Sequence, residues 1–322
     1  MPHDLNDASP TSLSHIIGQK TVIDQLRVAL DACFEDHRRL DDALLVGPPG
    51  LGKSQIATVL GHELAVKTHE ALGQSIKSAG DLNALLLAAG DGEVVFIDEC
   101  HEMPKVHQTA LYLALDKWKV VIRGCSGFDS LPLAQFTLLL GTTDEYSLLQ
   151  PLRDRMRLLL RFDFYSPEEL TKIILHRAKA LGWHLDETLP PLIAQRSRGT
   201  PRLALRLLQA CWRVCRANGE EKIVMPHLEK ACELEHLDEL GLGPLEQRYL
   251  KIVAEGATRL NVLASMLGLP TRTVSSVVEP FLLRAGLVVK DDGGRRDLTG
   301  MGREHLLKSC PTTVKVMSNV RP

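Results

Sequence analysis

Residues 47–54 read GPPGLGKS, with glycine at 47, 50 and 52 and a lysine–serine pair closing the run. Such a backbone turns successive N–H groups toward phosphate oxygens, and the start of a following helix adds a favourable dipole. Lys53 then reaches the β- and γ-phosphates, and the Ser54 hydroxyl ligates Mg²⁺. An apolar run at 43–46 precedes the motif and a helical pattern from Gln55 follows it. Strand, turn and helix in that order predict a nucleoside-triphosphate cradle.

Further residues suit the same chemistry. Residues 93–99 read EVVFIDE, an apolar strand with two carboxylates at its C-terminal end, the edge where α/β sheets place ligands. Asp98 fits the metal shell and Glu99 fits polarising an attacking water. The strand TLLLG at 137–141 ends in Thr142 and Thr143, hydroxyls suited to sensing a γ-phosphate or holding the water. Residues 151–157, PLRDRMR, carry three arginines. Arg155 is expected to act as a finger on a neighbouring subunit's nucleotide. In SRGTPRL (197–203), Thr200 and Pro201 read as N-cap and first helical residue. Arg202 then sits in a first turn, where the helix dipole disfavours a cation unless it faces a phosphate.

Several elements must position these groups. The chain has 322 residues, 44% hydrophobic and 24% charged, the composition of a globular protein of two or three domains. No apolar run is long enough to span a membrane. The N-terminal residues lack the pattern of a secretory signal, and the seven scattered cysteines include no C-x-x-C pair; a reducing cytoplasm is expected. Strands are predicted at 43–46, 93–97, 120–123, 136–140 and 158–164, separated by helices, which implies a parallel sheet buried on both faces. From Ser166 to about Asp238 the pattern is helical. After a glycine cluster at 241–243, three helices (245–254, 260–267, 271–284) and a hairpin suggest a winged helix. The expected division is a tail at 1–11, domains at 12–165, 166–240 and 241–310, and a tail at 311–322. The net charge is −2, but from Phe281 onward eight Lys/Arg face four acids. Nucleic-acid contact is expected there, at Arg295, Arg296 and Arg303.

Taken in order, GPPGLGKS, VVFIDECH, LGTTD, PLRDRMR, LRFDFYSPEEL and QRSRGTPRLALRLL resemble the RuvB family, hexameric AAA+ motors of Holliday-junction branch migration. The resemblance runs from about residue 10 to 307. It implies an α/β AAA+ P-loop ATPase domain, a small all-α lid and a C-terminal winged helix. It implies ATP and Mg²⁺ as cofactors, with Gly47, Gly50, Leu51, Gly52, Lys53, Ser54 and Gln55 in the phosphate loop. It further implies Ser54 and Asp98 on the metal, Glu99 on water, and Thr142 or Thr143 as first sensor. Arg155 would be the trans finger and Arg202 the second sensor. Ile17 and Tyr165 would border the base or ribose, and Asp116, Lys117 and Trp118 would lie near a nucleotide. Arg296 corresponds to a DNA-contacting arginine at the wing base.

The implied partners are duplex or four-way-junction DNA, further copies of the chain in a hexamer, and a RuvA-like junction-binding protein. The segment 119–135 is shorter than the hairpin by which the family docks on RuvA, and Asp291 and Asp292 make the wing acidic. These departures leave a second expectation beside the DNA motor: an ATP-dependent switch or clamp-loader-like assembly factor that grips a protein partner without moving DNA.

Overall fold

The computed structural model describes residues 9–124, 127–256 and 258–309. They fall into two compact units: the residues through Trp183 with Gly199–Leu205, and His184–Arg198 with the residues from Arg206 onward.

The first unit is a parallel α/β sheet with its helices. α1 (Lys20–Glu35) buries Val22, Ile23, Leu26, Leu30 and Cys33, a stripe at three- and four-residue spacing. β1 (Ala43–Val46) leads into α2 (Lys53–Glu63). β2 (Thr68–Leu72) and α3 (Ala79–Ala88) follow, the latter opened by a capping box between Ser78 and Asp81. β3 (Val94–Asp98) precedes α4 (Lys105–Lys117). A hairpin, β4 (Lys119–Gly124) with β5 (Gly127–Pro132), comes next. β6 (Thr137–Thr142), α5 (Gln150–Arg155), β7 (Leu158–Arg161) and α6 (Pro167–Leu181) complete the unit. The sheet order is β2-β3-β6-β1-β7, and every pairing is parallel. Because β6 is central, all six of its residues are buried, which explains its unbroken apolar run.

One strand expectation needs correction, and one strand of the sheet was not expected. The run at 120–123 is not in this sheet. It lies in β4 and pairs antiparallel with β5, from Lys119↔Pro132 to Gly124↔Gly127. Val120 is buried while Val121 is exposed, the two-residue alternation of a half-covered ribbon. The unexpected strand is β2, at one edge of the sheet, whose sequence THEAL is half-exposed and offers no apolar run to read.

The second unit holds α7 (Leu189–Gln195), a short parallel pair β8 (His184–Leu185) and β9 (Lys222–Ile223), and α9 (Met225–Leu234). α8 (Pro201–Ala217) contributes its residues from Arg206. The winged helix follows. α10 (Pro244–Ala254), β10 (Thr258–Arg259) and α11 (Leu260–Leu267) precede a continuous helix built of α12 (Thr271–Thr273), a π-turn (Val274–Val278) and α13 (Glu279–Arg284). β11 (Val288–Lys290), β12 (Arg295–Leu298) and α14 (Gly300–Ser309) close it. Leu250, Leu263, Val274, Val278, Leu282 and Leu298 share one core, so the three helices and the three-stranded sheet β10-β12-β11 form one body. The tail expected from 311 and most of the one expected before 12 lie outside the described residues. Among the described residues no helix is long and apolar enough to cross a membrane.

Candidate nucleotide site and candidate nucleic-acid interface

β1 ends at Val46 and α2 begins at Lys53, so the glycine-rich turn occupies the gap between a central strand and a helix N-terminus. Gly50 and Gly52 adopt φ of 81° and 101°, backbone that favours glycine. Lys53 is only 6% exposed. Its Nζ donates to Gly47 O at 2.6 Å and Pro48 O at 3.1 Å, both neutral acceptors. Burial pulls its pKa below the ordinary lysine value, Glu99 and Asp98 partly restore it, and Arg202 opposes them. A buried cation held by carbonyls alone is best completed by an anion.

Across from it, at the end of β3, Ser54 Oγ donates to Asp98 Oδ2 at 2.6 Å. One hydroxyl and one carboxylate are hard oxygen donors of the kind Mg²⁺ takes, with phosphate and water oxygens filling the remaining shell. No group of three or more His, Cys, Asp or Glu placed to hold a metal occurs among the described residues, so this pair needs such added oxygens. On neighbouring β6, a Cβ at Gly141 would fall 2.8 Å from Asp98 Oδ1; glycine there leaves the carboxylate its room.

Glu99 sits in left-handed backbone (φ 46°), a strained conformation for a non-glycine residue. Its Oε2 accepts from Thr143 Oγ1 at 3.1 Å and lies 3.4 Å from His101 Nδ1. Thr142 is buried; its Oγ1 accepts the Asp144 N–H at 3.0 Å and faces His101 Nδ1 at 3.1 Å. Thr143 thus reaches the carboxylate directly, while Thr142 and Glu99 both face one nitrogen of His101, Nδ1. Sequence reasoning missed His101. Its signal was its place two residues past Glu99, in the short 3₁₀ turn Cys100–Glu102.

The other wall comes from the segment beyond β7. The backbone N–H of Arg202 points to Gly50 O at 3.4 Å, and a Cβ on Gly50 would stand 3.0 Å from Arg202 Cβ. Tyr165 donates its hydroxyl to Leu51 O at 3.1 Å, and burial pushes its pKa up to about 12, so it is a neutral donor. A Cβ on Gly18 would fall 2.7 Å from the Tyr165 ring, which places the half-buried Ile17 one residue away. Gln55 Nε2 donates to Pro10 O at 3.2 Å. Ile17, the loop, Tyr165 and Arg202 are therefore brought together.

Arg155 and residues 116–118 are brought to each other. Arg155 Nη2 donates to Leu115 O at 3.1 Å, and its Nε lies 3.4 Å from Asp116 Oδ1. Lys117 ends α4; the Trp118 ring meets Phe136 edge-on at 5.5 Å and the Arg39 guanidinium at 4.9 Å. None of these contacts leads to the cradle of the same chain.

In the winged helix, Arg295 is exposed, and Arg303 is exposed with Asp297 at 3.2 Å. Arg296 corrects the expectation of a surface contact: it is 5% exposed. Its Nε and Nη2 donate to Glu279 at 2.7 and 3.0 Å, and Nη1 donates to Gly294 O at 2.6 Å. Tyr249 OH also donates to Glu279, at 2.8 Å. The two-residue period of β12 turns Arg296 inward with Leu298 and leaves Arg295 outside.

A cradle after β1, with carboxylates on β3 two strands away at the same end of the sheet, defines the class: a P-loop nucleotide-binding protein, here carrying a winged helix. Comparison with known proteins narrows this. Residues 8–162 match the family model of the Holliday junction DNA helicase RuvB P-loop domain, residues 165–238 the RuvB AAA lid domain, and residues 239–307 the RuvB C-terminal winged helix domain. A Holliday junction branch migration complex subunit RuvB from Kosmotoga olearia is 35% identical, over 89% of this chain and 86% of its own. The protein of that name from Corynebacterium diphtheriae is 37% identical, over 89% and 81%. The solved structure of the Thermotoga maritima RuvB Holliday junction branch migration motor superposes with a TM-score of 0.82 at 34% identity, covering 93% of this chain and 98% of that one. The chain belongs to the RuvB family.

Proposed function

We propose that this chain is an ATP-hydrolysing motor that works as a ring on duplex DNA and drives branch migration of four-way junctions. The observation that carries the reading is the joint arrangement at one end of the sheet: buried Lys53, bonded to carbonyls alone among the described residues, the Ser54–Asp98 pair, and Glu99 held by Thr143. Lys53 binds the β/γ-phosphates, Ser54 and Asp98 hold Mg²⁺, and Glu99 orients and polarises water. When bound, the metal neutralises charge on the transferring phosphoryl group. Thr143 fixes Glu99 directly, and His101 Nδ1 faces both Glu99 and Thr142. Arg202 lies over Gly50 in the first turn of α8, and Ile17 and Tyr165 border the loop where the base and ribose would rest.

Arg155 stands apart from its own cradle, which supports a role on the nucleotide of a neighbouring copy and hence a multi-subunit ring, a hexamer by family pattern. Residues 116–118 share that face. The DNA contact belongs to the outer face of the wing, with Arg295 and Arg303. The hairpin β4–β5 is the segment available to a RuvA-like partner.

The deciding experiment measures ATP turnover with and without duplex DNA, and the movement of a synthetic four-way junction. Stimulated turnover with junction migration supports the motor. Turnover indifferent to DNA with a stationary junction overturns it in favour of a switch bound to a protein partner. Mixing Arg155→Ala subunits with Lys53→Ala subunits tests the shared site: recovered turnover supports a finger acting in trans, and none counts against it.

A further inference from the structure

β10 and β12 pair antiparallel with Arg259 directly opposite Arg295. Directly opposed residues project from the same face, about 5 Å apart at Cβ. Both are exposed. Two like charges in that position repel and destabilise the pairing. Arg259 carries a second cost. It is the N-cap residue of α11, makes no side-chain capping bond, and places a cation where the helix dipole disfavours one. The one acid bonded to this pair, Asp291, accepts the Arg295 backbone N–H at 2.7 Å and meets neither guanidinium among the described residues. The ion pairs of this sheet are Arg296–Glu279 and Arg303–Asp297, and neither Arg259 nor Arg295 has an acidic partner among the described residues. Beneath them, the buried Arg296–Glu279–Tyr249 group fixes β12 against α13 and α10, so the opposed pair is presented on a stiff base.

We propose that Arg259 and Arg295 form a two-pronged seat for a backbone phosphate of duplex DNA, and that Arg296 positions this seat from within without touching DNA. The proposal deepens the DNA reading of the winged helix and rests on it. One phosphate between two guanidiniums converts a repulsive pair into two charge-assisted contacts and suits the helix N-terminus as well. The contact carries no base readout, since a phosphate seat fixes register rather than sequence.

The test measures binding of the full chain to a mixed-sequence duplex across a salt series, alongside thermal melting. Arg259→Ala and Arg295→Ala each weaken binding about tenfold and lower the salt slope by about 1. Arg259→Glu weakens binding further, yet its melting temperature stays level or rises, because it faces Arg295 with an opposite charge. Arg259→Lys and Arg295→Lys, which keep the charge, retain most of the slope. The double change Arg296→Met with Glu279→Leu, which loosens the base of the seat but removes no phosphate contact, weakens binding less than either alanine variant and keeps the slope; wild-type affinity in it overturns the positioning role of Arg296. Wild-type slope and affinity in both alanine variants overturn the seat while leaving the DNA reading intact. A melting temperature that falls in step with binding in Arg259→Glu also overturns it, since it assigns Arg259 a structural role. Absence of any salt-dependent duplex binding by the wild-type chain overturns the DNA reading and the seat together.

Discussion

Two buried cations, Lys53 in the P-loop domain and Arg296 in the winged helix, have similar exposure and opposite partners. Lys53 ends on two backbone carbonyls, while the carboxylates whose charge it feels are bonded elsewhere, Glu99 to Thr143 and Asp98 to Ser54. Arg296 ends on a carboxylate that accepts from it twice and from Tyr249 once. The difference separates a charge kept for a ligand from one spent on the fold. A buried cation with neutral partners holds a desolvation cost that an incoming anion relieves. A buried cation with a bidentate carboxylate is complete, and breaking that pair leaves a charge with no solvent. Burial of a basic residue therefore does not mark function; the chemistry of its partners does.

This contrast can be broken experimentally, most sharply at the cradle. Lys53→Met should reduce ATP turnover by at least about a thousandfold, the scale of losing a charge that meets the transferring phosphoryl group. The melting temperature of the nucleotide-free chain should hold or rise, because an incompletely paired buried cation has gone. A melting temperature that drops sharply would show that Lys53 is structural. In the winged helix the signs reverse. Arg296→Met strands Glu279 and should cost about 3–5 kcal/mol in denaturant unfolding, and adding Glu279→Leu should recover most of it. No recovery in the double variant would contradict the completeness of that pair.

Smaller effects refine the picture. Thr143→Val removes one hydroxyl from Glu99 and should slow turnover about tenfold with nucleotide affinity unchanged, the size of one hydrogen bond to a charged group. His101→Ala should do the same to a lesser degree, since its Nδ1 faces Glu99 from 3.4 Å, and unchanged turnover would show that Thr143 alone holds the carboxylate. The smallest effect is at Glu63, whose carboxylate accepts from Ser12 Oγ at 2.8 Å and Leu13 N at 2.7 Å. The Leu13 N–H, then the Ser12 hydroxyl, hold its pKa below the usual glutamate value. A carboxyl depressed on folding contributes stability above its ordinary pKa and loses it as pH falls through the folded value. Glu63→Gln should therefore cost under about 1 kcal/mol at neutral pH, a small value because water screens the site. The difference from wild type should vanish in acid, as paired melts at several pH values would show.

Much of this molecule was legible residue by residue. The cradle, the Asp98–Glu99 pair and Thr142–Thr143 announce themselves because they sit where apolar strands stop, and strands buried on both faces write their identity as unbroken apolar runs. β2 was illegible for the converse reason: THEAL lies at the sheet edge and needs no apolar face. The run at 120–123 was misplaced because strand propensity does not name a strand's partner; the neighbour at 127–132 decided it.

The sequence by itself determined the local chemistry: which loop can cradle phosphates, which strand ends carry oxygens, and which segment bears the positive charge. These depend on residue type and short-range spacing, and backbone geometry over a few residues enforces them. Only the tertiary structure decided which charges face which. It placed Thr143 and His101 on Glu99, put Arg202 over Gly50, turned Arg296 inward onto Glu279, and set Arg259 opposite Arg295. Those pairings join residues distant in the chain, and register and burial, which no local pattern encodes, select them.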